Sequence, residues 1–319
     1  MKHVFIVNPK SGKGKVLEFI KPRIEQYALD HPELEIETHI TTAPYEGITY
    51  VKERAKSGEH IRFYACGGDG TLFEVINGAY LYPDTTEVAV IPLGSGNDFI
   101  RLFGKASEMT NIDDHVNGTP IKLDLIRCGD KIAINQCSMG IDAEVCAKQV
   151  YFKKLPLISG EMAYTFALVY CLFKKLKSNF KVYVDDKLVI EDSMLFSLCG
   201  NSRWYGGGYK GAPLAIPDDG LLDMILVKSK VSRLKLASLM GKYKKGEHLD
   251  WDITTFMRGK KLHIESEKPA AVNVDGECEY VTEATFEIIE KGITFVVPKN
   301  STYFEDRKSG KISGERNKA

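Results

Sequence analysis

Three short glycine-bearing loops, each directly behind a run of β-branched and aromatic residues, leave few folds open to this chain. Asn8-Pro9-Lys10-Ser11-Gly12-Lys13-Gly14-Lys15 follows residues 4–7, Gly67-Gly68-Asp69-Gly70-Thr71 follows residues 61–65, and Pro92-Leu93-Gly94-Ser95-Gly96-Asn97-Asp98 follows residues 88–91. Helical patterns come next at about 16–29, 71–79 and 97–103, with a further strand at 34–40 and helix at 46–57 between them. Each parallel strand needs a crossover, so this order predicts a mostly parallel sheet with helices on both faces. Ligands of such sheets sit at the carboxyl ends of the strands. Glycine there lets the backbone come within hydrogen-bond reach of phosphate oxygens, and the helix N-terminus adds N–H donors and a favourable dipole. Any one loop alone has a plainer explanation, because strand-to-helix turns use Gly or Asn for positive φ without a ligand. The first loop is not G-x-x-x-x-G-K-[ST], since Lys15 is followed by Val16, which disfavours a P-loop nucleoside triphosphatase.

Beyond about Asp124 the pattern changes. Strand-like runs follow one another at 132–137, 180–184, 194–199, 222–227, 261–264, 271–274, 284–289 and 294–297, interrupted by helical patterns at about 140–149 and 160–177. Dense strands joined by turns such as Pro217-Asp218-Asp219-Gly220 predict an antiparallel β-sandwich. The expectation is an α/β domain with phosphate-binding loops over 1–125, an antiparallel β-sandwich domain over 126–300 and a tail over 301–319 that is partly disordered.

Composition excludes several classes. The 319 residues carry 43 Lys plus Arg against 43 Asp plus Glu, so no basic excess exists to drive nucleic-acid binding. Seven cysteines, at 66, 128, 137, 146, 171, 199 and 278, include no C-x-x-C pair and read as reduced thiols of a cytoplasmic protein. The N-terminal apolar run is too short for a signal peptide, and the longest nearly apolar stretch, 163–173, falls well short of the roughly 20 residues that span a bilayer.

Taken together, Asn8-Pro9-x-Ser11-Gly12, Gly67-Gly68-Asp69-Gly70-Thr71 with Glu74 and Asn77 behind it, and Pro92-x-Gly94-Ser95-x-Asn97-Asp98 resemble the diacylglycerol kinase catalytic domain family, which includes sphingosine and ceramide kinases and soluble bacterial lipid kinases. The likeness continues through Asp124, Pro217-Asp218-Asp219-Gly220-x-Leu222-Asp223 and Val272-Asn273-Val274-Asp275-Gly276-Glu277, so it spans about residues 3–298. It implies a three-layer α/β nucleotide domain like that of NAD kinase, a C-terminal antiparallel β-sandwich and an active site in the cleft between them. The implied reaction moves the γ-phosphoryl group of ATP, with Mg²⁺, to a lipid hydroxyl, diacylglycerol being the leading acceptor and phosphatidic acid the product.

Carried over by position, Asn8, Pro9, Lys10, Ser11, Gly12, Thr42, Gly68, Asp69, Gly70, Thr71, Leu72, Phe73, Glu74 and Ser95 match nucleotide-binding residues, with Thr41 competing for the Thr42 match. Asp69, Asp98 and Asp219 match the acidic network around the catalytic Mg²⁺, Glu277 matches the proton acceptor, and a metal site is implied on the Asp219 side chain with the backbone oxygens of Ile216 and Leu221. Chemistry supports these types independently, since phosphoryl transfer asks for backbone cradles, hard-oxygen ligands and a base beside the acceptor. Plainer roles stand beside them. Asp98 can cap the helix after it, Asp124 can end a strand, Asp218-Asp219-Gly220 is an ordinary turn signature, and Asp275-Gly276 is a hairpin signal that would make Glu277 merely the next strand residue. Asp69 leans towards a metal, because a carboxylate beside phosphates is repelled unless a cation intervenes.

Ser95 stands where many family members have Thr. Trp204 and Tyr205, in a glycine-rich loop matching one near the acceptor site, either contact lipid or pack on the sheet, and residues 151–158, which mix apolar groups with cations, either dip into an anionic interface or cover the sandwich. A lipid acceptor would bring a cytoplasmic chain to the inner face of the membrane. Oligomeric state, a homodimer included, leaves no mark in the sequence. Two rivals remain: an NAD kinase, which shares Gly-Gly-Asp-Gly-Thr and phosphorylates a soluble nucleotide, and a catalytically silent nucleotide-sensing module.

Overall fold

The computed structural model describes residues 1–152, 160–173 and 178–315, which form two compact units: 1–125 with 290–313, and 126–289 with the residues after 313. In the first unit, strands β1 (Lys2–Val7), β2 (Glu35–Ile40), β3 (Ile61–Gly67) and β4 (Thr86–Pro92) alternate with helices α1 (Val16–Asp30), α2 (Glu46–Ala55) and α3 (Asp69–Ala79). The strands are parallel in the order β4-β3-β1-β2. β3 is buried at every residue, as a central parallel strand covered on both faces must be, whereas β2 at the edge is half-exposed. α1 lays Val16, Ile20 and Ile24 against the sheet at helical spacing, over Phe5, Tyr64 and Ala89.

Register places all four strand ends on one edge. Val7 lies opposite Ile40 and Cys66, and Gly67 opposite Pro92. The three glycine loops and the Thr41–Thr42 turn therefore leave the sheet side by side.

Residues 97–103 were expected to be a helix and form a short 3₁₀ turn, Phe99–Leu102; a small helix, α4 (Ile112–Val116), precedes β5 (Thr119–Cys128). The second unit contains β6 (Lys131–Ala133), β7 (Gln136–Gly140), α5 (Ile141–Phe152), α6 (Gly160–Phe173), β8 (Ser178–Val184), β9 (Lys187–Gly200), β10 (Leu222–Lys228), α7 (Arg233–Lys245), β11 (Thr254–Gly259), β12 (Lys261–Val274) and the first part of β13 (Glu277–Val297). Its sheet is antiparallel in the order β11-β10-β9-β7-β12-β13, with β8 pairing both β9 and β12.

Two expected strand pairs are single long strands. The runs at 261–264 and 271–274 are both in β12, whose register slips between Glu265 and Ala270, where Pro269 sits at the bulge that tolerates it. The runs at 284–289 and 294–297 are both in β13, which turns at Lys291, φ 52°, where Asp124 Oδ1 accepts the Lys291 amide at 2.7 Å. The end of β13 lies parallel to β4 in the first unit, pairing Phe295 with Val88.

The segment 301–308 is likewise structured. It enters α8 (Tyr303–Lys308), and Tyr303, 1% exposed, packs on Phe103 at 4.9 Å between ring centres. Phe103 in turn stacks on Phe295 at 5.1 Å, so a charge-rich stretch is held by one aromatic anchor.

Candidate active site

In the first unit the glycine loops do more than turn. A Cβ on Gly94 would lie 2.3 Å from the Gly68 Cα, and one on Gly12, φ +54°, would lie 2.7 Å from the Leu93 carbonyl oxygen. Backbone thus packs on backbone across all three loops, an approach only glycine permits. Hydrogen bonds fix the cluster. Leu93 N donates to Gly67 O at 2.7 Å, Asn8 Nδ2 to Thr71 Oγ1 at 3.3 Å, and Lys10 N to Asn8 Oδ1 at 3.0 Å. Asn97, in the left-handed region with φ 51°, closes the third loop by accepting from Gly94 N at 3.0 Å and donating to Gly94 O at 2.8 Å.

Asp69 opens α3 and ties the second loop to the third, its Oδ1 accepting from the amides of Asp98 at 2.8 Å and Phe99 at 3.3 Å. Burial, reinforced by the nearby Asp98 carboxylate, pushes the Asp69 carboxyl up to about 6. A Cβ on Gly96 would meet Asp69 Oδ2 at 2.8 Å and Asp98 Oδ2 at 3.7 Å, so both carboxyls turn towards the same glycine. Asp98 Oδ1 also accepts from Arg101 Nε at 3.0 Å, and Arg101 Nη2 reaches Gly96 O at 2.9 Å. No side-chain cap is formed by Asp98 on the 3₁₀ turn that follows it.

Of the residues matched to nucleotide binding, Asn8, Pro9, Lys10, Ser11, Gly12, Gly68, Gly70 and Ser95 lie in these loops and are at least partly exposed. Thr42 is exposed beside them, while Thr41 is buried and donates its amide to Val7 O at 3.0 Å. Leu72 and Phe73 point into the core, and Thr71 is buried against Asn8. Glu74 accepts from the amides of Tyr45 at 3.1 Å and Gly47 at 3.0 Å, which holds the turn carrying Thr42.

Asp219, Ile216, Leu221 and Glu277 belong to the second unit. Asp219 Oδ1 accepts from Leu221 N at 3.1 Å, and its Oδ2 lies 3.3 Å from Arg258 Nη1. Arg258 Nε is 2.8 Å from Asp223 Oδ1, a buried carboxyl that burial pushes up to about 7 and that makes no aligned hydrogen bond. Arg258 has no signal in the sequence, and Asp223 is legible there only as the end of the turn motif at 217–223. Among the described residues no three His, Cys, Asp or Glu side chains cluster to hold a metal. The set implied for this turn contains one carboxylate and two backbone oxygens, hard donors that fit a Mg²⁺ retaining several waters.

Glu277 begins β13 opposite Val274, across a two-residue turn with φ 48° at Asp275 and 107° at Gly276. The tip is anchored, for Asp275 accepts from the amides of Ile134 at 2.7 Å, Asn135 at 3.0 Å and Gln136 at 2.7 Å. That role had no sequence signal beyond Asp-Gly. Tyr205 is buried with its hydroxyl 2.7 Å from that of Tyr243, so it packs in the unit's core. Trp204 lies under Lys210, and its carbonyl accepts from Asn135 Nδ2 at 2.8 Å. Of the cationic stretch 151–158, Tyr151 is exposed and Phe152 packs on the helical side of the unit, while 153–158 lie outside the described residues. Among the described residues no helix is long and apolar enough to cross a membrane.

The family model described as diacylglycerol kinase catalytic domain matches residues 2–128, and the one described as YegS C-terminal NAD kinase beta sandwich-like domain matches 135–297. A diacylglycerol kinase of Staphylococcus epidermidis is 30% identical over 297 residues, covering 92% of each chain, and one of Staphylococcus aureus is 28% identical over the same length. A solved diacylglycerol kinase of Bacillus anthracis superposes with a TM-score of 0.72 at 26% identity, covering 93% of this chain and 96% of that one. A yeast NADH kinase, at 11% identity and a TM-score of 0.50, shares the fold alone.

Proposed function

We propose, from the premise that this chain belongs to the diacylglycerol kinase family, that it binds ATP on the glycine-loop cluster of its first unit and transfers the γ-phosphoryl group to a lipid hydroxyl. Diacylglycerol is the leading acceptor. The observation that carries this reading is the pair of backbone contacts, Gly68 with Gly94 and Gly12 with Leu93, which gather three loops into one cradle at the sheet edge. Amides and a helix N-terminus suit triphosphate oxygens there, and Lys10 and Lys13 are exposed cations on the same loop.

Asp69 and Asp98 are acidic groups beside an anionic ligand, an arrangement that favours a cation between them and the phosphates. When bound, Mg²⁺ would neutralise charge building on the transferring group; Asp219 with the Ile216 and Leu221 oxygens would hold the ion of the turn. Glu277 is assigned to accept the proton of the acceptor hydroxyl as its oxygen bonds to the γ-phosphorus and the bond to the β-phosphate oxygen breaks, releasing ADP.

The test offers γ-labelled ATP to the full chain with mixed micelles of diacylglycerol, phosphatidylglycerol, a sphingoid base or a polyprenol, and with NAD. Label in lipid, lost in excess EDTA, is the expected result. Label only in NAD, or turnover undiminished by EDTA, would overturn it.

A further inference from the structure

Five of the seven cysteines are buried, and the two that are not, Cys146 on α5 and Cys278 on β13, meet each other. Both thiols reach the same acceptor, the Gly276 carbonyl oxygen, at 3.7 Å. Cys278 Sγ also lies 3.8 Å from Ala143 O and 3.9 Å from Asn273 Oδ1, so it is wedged between the start of α5 and the hairpin that presents Glu277. The Cys146 thiol beside it, then burial, then the charges of Cys146, Asp142 and Glu277 hold the Cys278 thiol far above its usual range. Each thiol is thus within reach of the other, one to attack a disulfide and one to resolve it.

We propose that Cys146 and Cys278 are a reversible disulfide-forming pair, a redox modification site whose closure restrains the adjoining Glu277. The co-reactant is a low-molecular-weight disulfide. One cysteine of the pair, as thiolate, attacks one of its sulfurs and expels one thiol; the other cysteine then attacks the protein-bound sulfur of that mixed disulfide and expels the second. Two protons and two electrons leave the protein, and the small disulfide is reduced to two thiols. Closing the bond brings the sulfurs to about 2.0 Å. The bond ties the start of β13, and Glu277 with it, covalently to α5. Intracellular disulfides are mostly transient and redox-sensing, which suits a partly exposed pair beside a working carboxylate.

The effect on turnover rests on the lipid kinase reading, whereas the crosslink does not. Full-length protein is treated with oxidised glutathione, digested without reduction and analysed by mass spectrometry, and each sample is assayed on the lipid panel before and after dithiothreitol. The expected result is a linked peptide pair joining Cys146 to Cys278, with turnover falling roughly 10-fold or more, as misplacement of a catalytic group does, and returning on reduction. Cys146→Ser and Cys278→Ser should each lack the link, and Cys146→Ser should keep its turnover in oxidant. Only mixed disulfides with glutathione, or links among other cysteines, would overturn the site. A Cys146–Cys278 link with unchanged turnover would overturn the restraint on Glu277. Reduced protein inactive on every lipid would end the kinase reading, while the crosslink would still decide the site.

Discussion

Asp69 works against the stability of its own fold. Its carboxyl is pushed up to about 6 from an ordinary value of 3.8, so the folded chain holds that proton more tightly than the unfolded chain does. The stability linked to the proton is complete below the unfolded value and is lost as pH rises through the window from 3.8 to about 6. Asp69→Asn keeps an oxygen for the Asp98 and Phe99 amides and removes the ionisation. The variant should gain on the order of 1 kcal/mol at about pH 7.5 and nothing near about pH 4, while losing roughly 10²-fold or more in turnover. Urea melts at the two pH values, with turnover on the same preparation, check this; equal destabilisation at both would make Asp69 a turn residue only. Glu277 allows a cleaner separation. Glu277→Gln preserves size and hydrogen bonding but cannot take a proton near neutrality. ATP titrated by thermal shift should bind unchanged, because the glycine loops belong to the other unit, and turnover should fall by roughly 10² to 10⁴. Near-normal turnover would leave Glu277 as the first residue after a hairpin.

At the level of elements, the three loops act as one. Gly94→Ala would force its Cβ to 2.3 Å from the Gly68 Cα, against backbone that has no side chain to rotate away. The expected cost is about 2 kcal/mol, together with loss of the ATP-induced thermal shift. Gly70→Ala is the control for stability alone, since a Cβ there meets nothing within 4 Å. Equal loss of stability in both variants would mean that general loop strain, not the contact, matters. The parallel sheet was legible because β-rich runs, glycine turns and amphipathic helices repeat in order, and the family because Gly-Gly-Asp-Gly-Thr recurs in few contexts. What stayed hidden depended on distant partners. α7 carries Lys242, Lys244 and Lys245, and its core-facing Leu236, Met240 and Tyr243 were overlooked among these charges, although Ser232 caps the helix by accepting from Lys235 N. Pro269 and the charges around it looked like a strand boundary and are a bulge within β12. Arg258 gave no signal until Asp219 and Asp223 met it from 39 and 35 positions away in the chain.

For the whole molecule, the ends of the chain matter together. The first unit is completed only by residues 290–313, which supply Phe295, Val296, Val297 and Tyr303, each 1% exposed or less. A fragment of residues 1–125 should therefore show no cooperative thermal transition by circular dichroism, whereas the same fragment joined by a flexible linker to 290–313 should regain one. Tyr303→Ala in the full chain should cost about 3 kcal/mol or more, the usual toll of removing a buried ring. A cooperative melt for 1–125 alone would show that the returning strand is dispensable. The same connectivity sets an order of events during synthesis. A ribosome releases residues 1–125 before 126–289, and the strand beside β4 only after both. The unit that carries the glycine loops thus begins before 126–289 and closes after it, once that stretch has had time to fold as a body of its own. During that interval β4 awaits its neighbour with one edge unpaired, which leaves this strand open to chaperones and to aggregation.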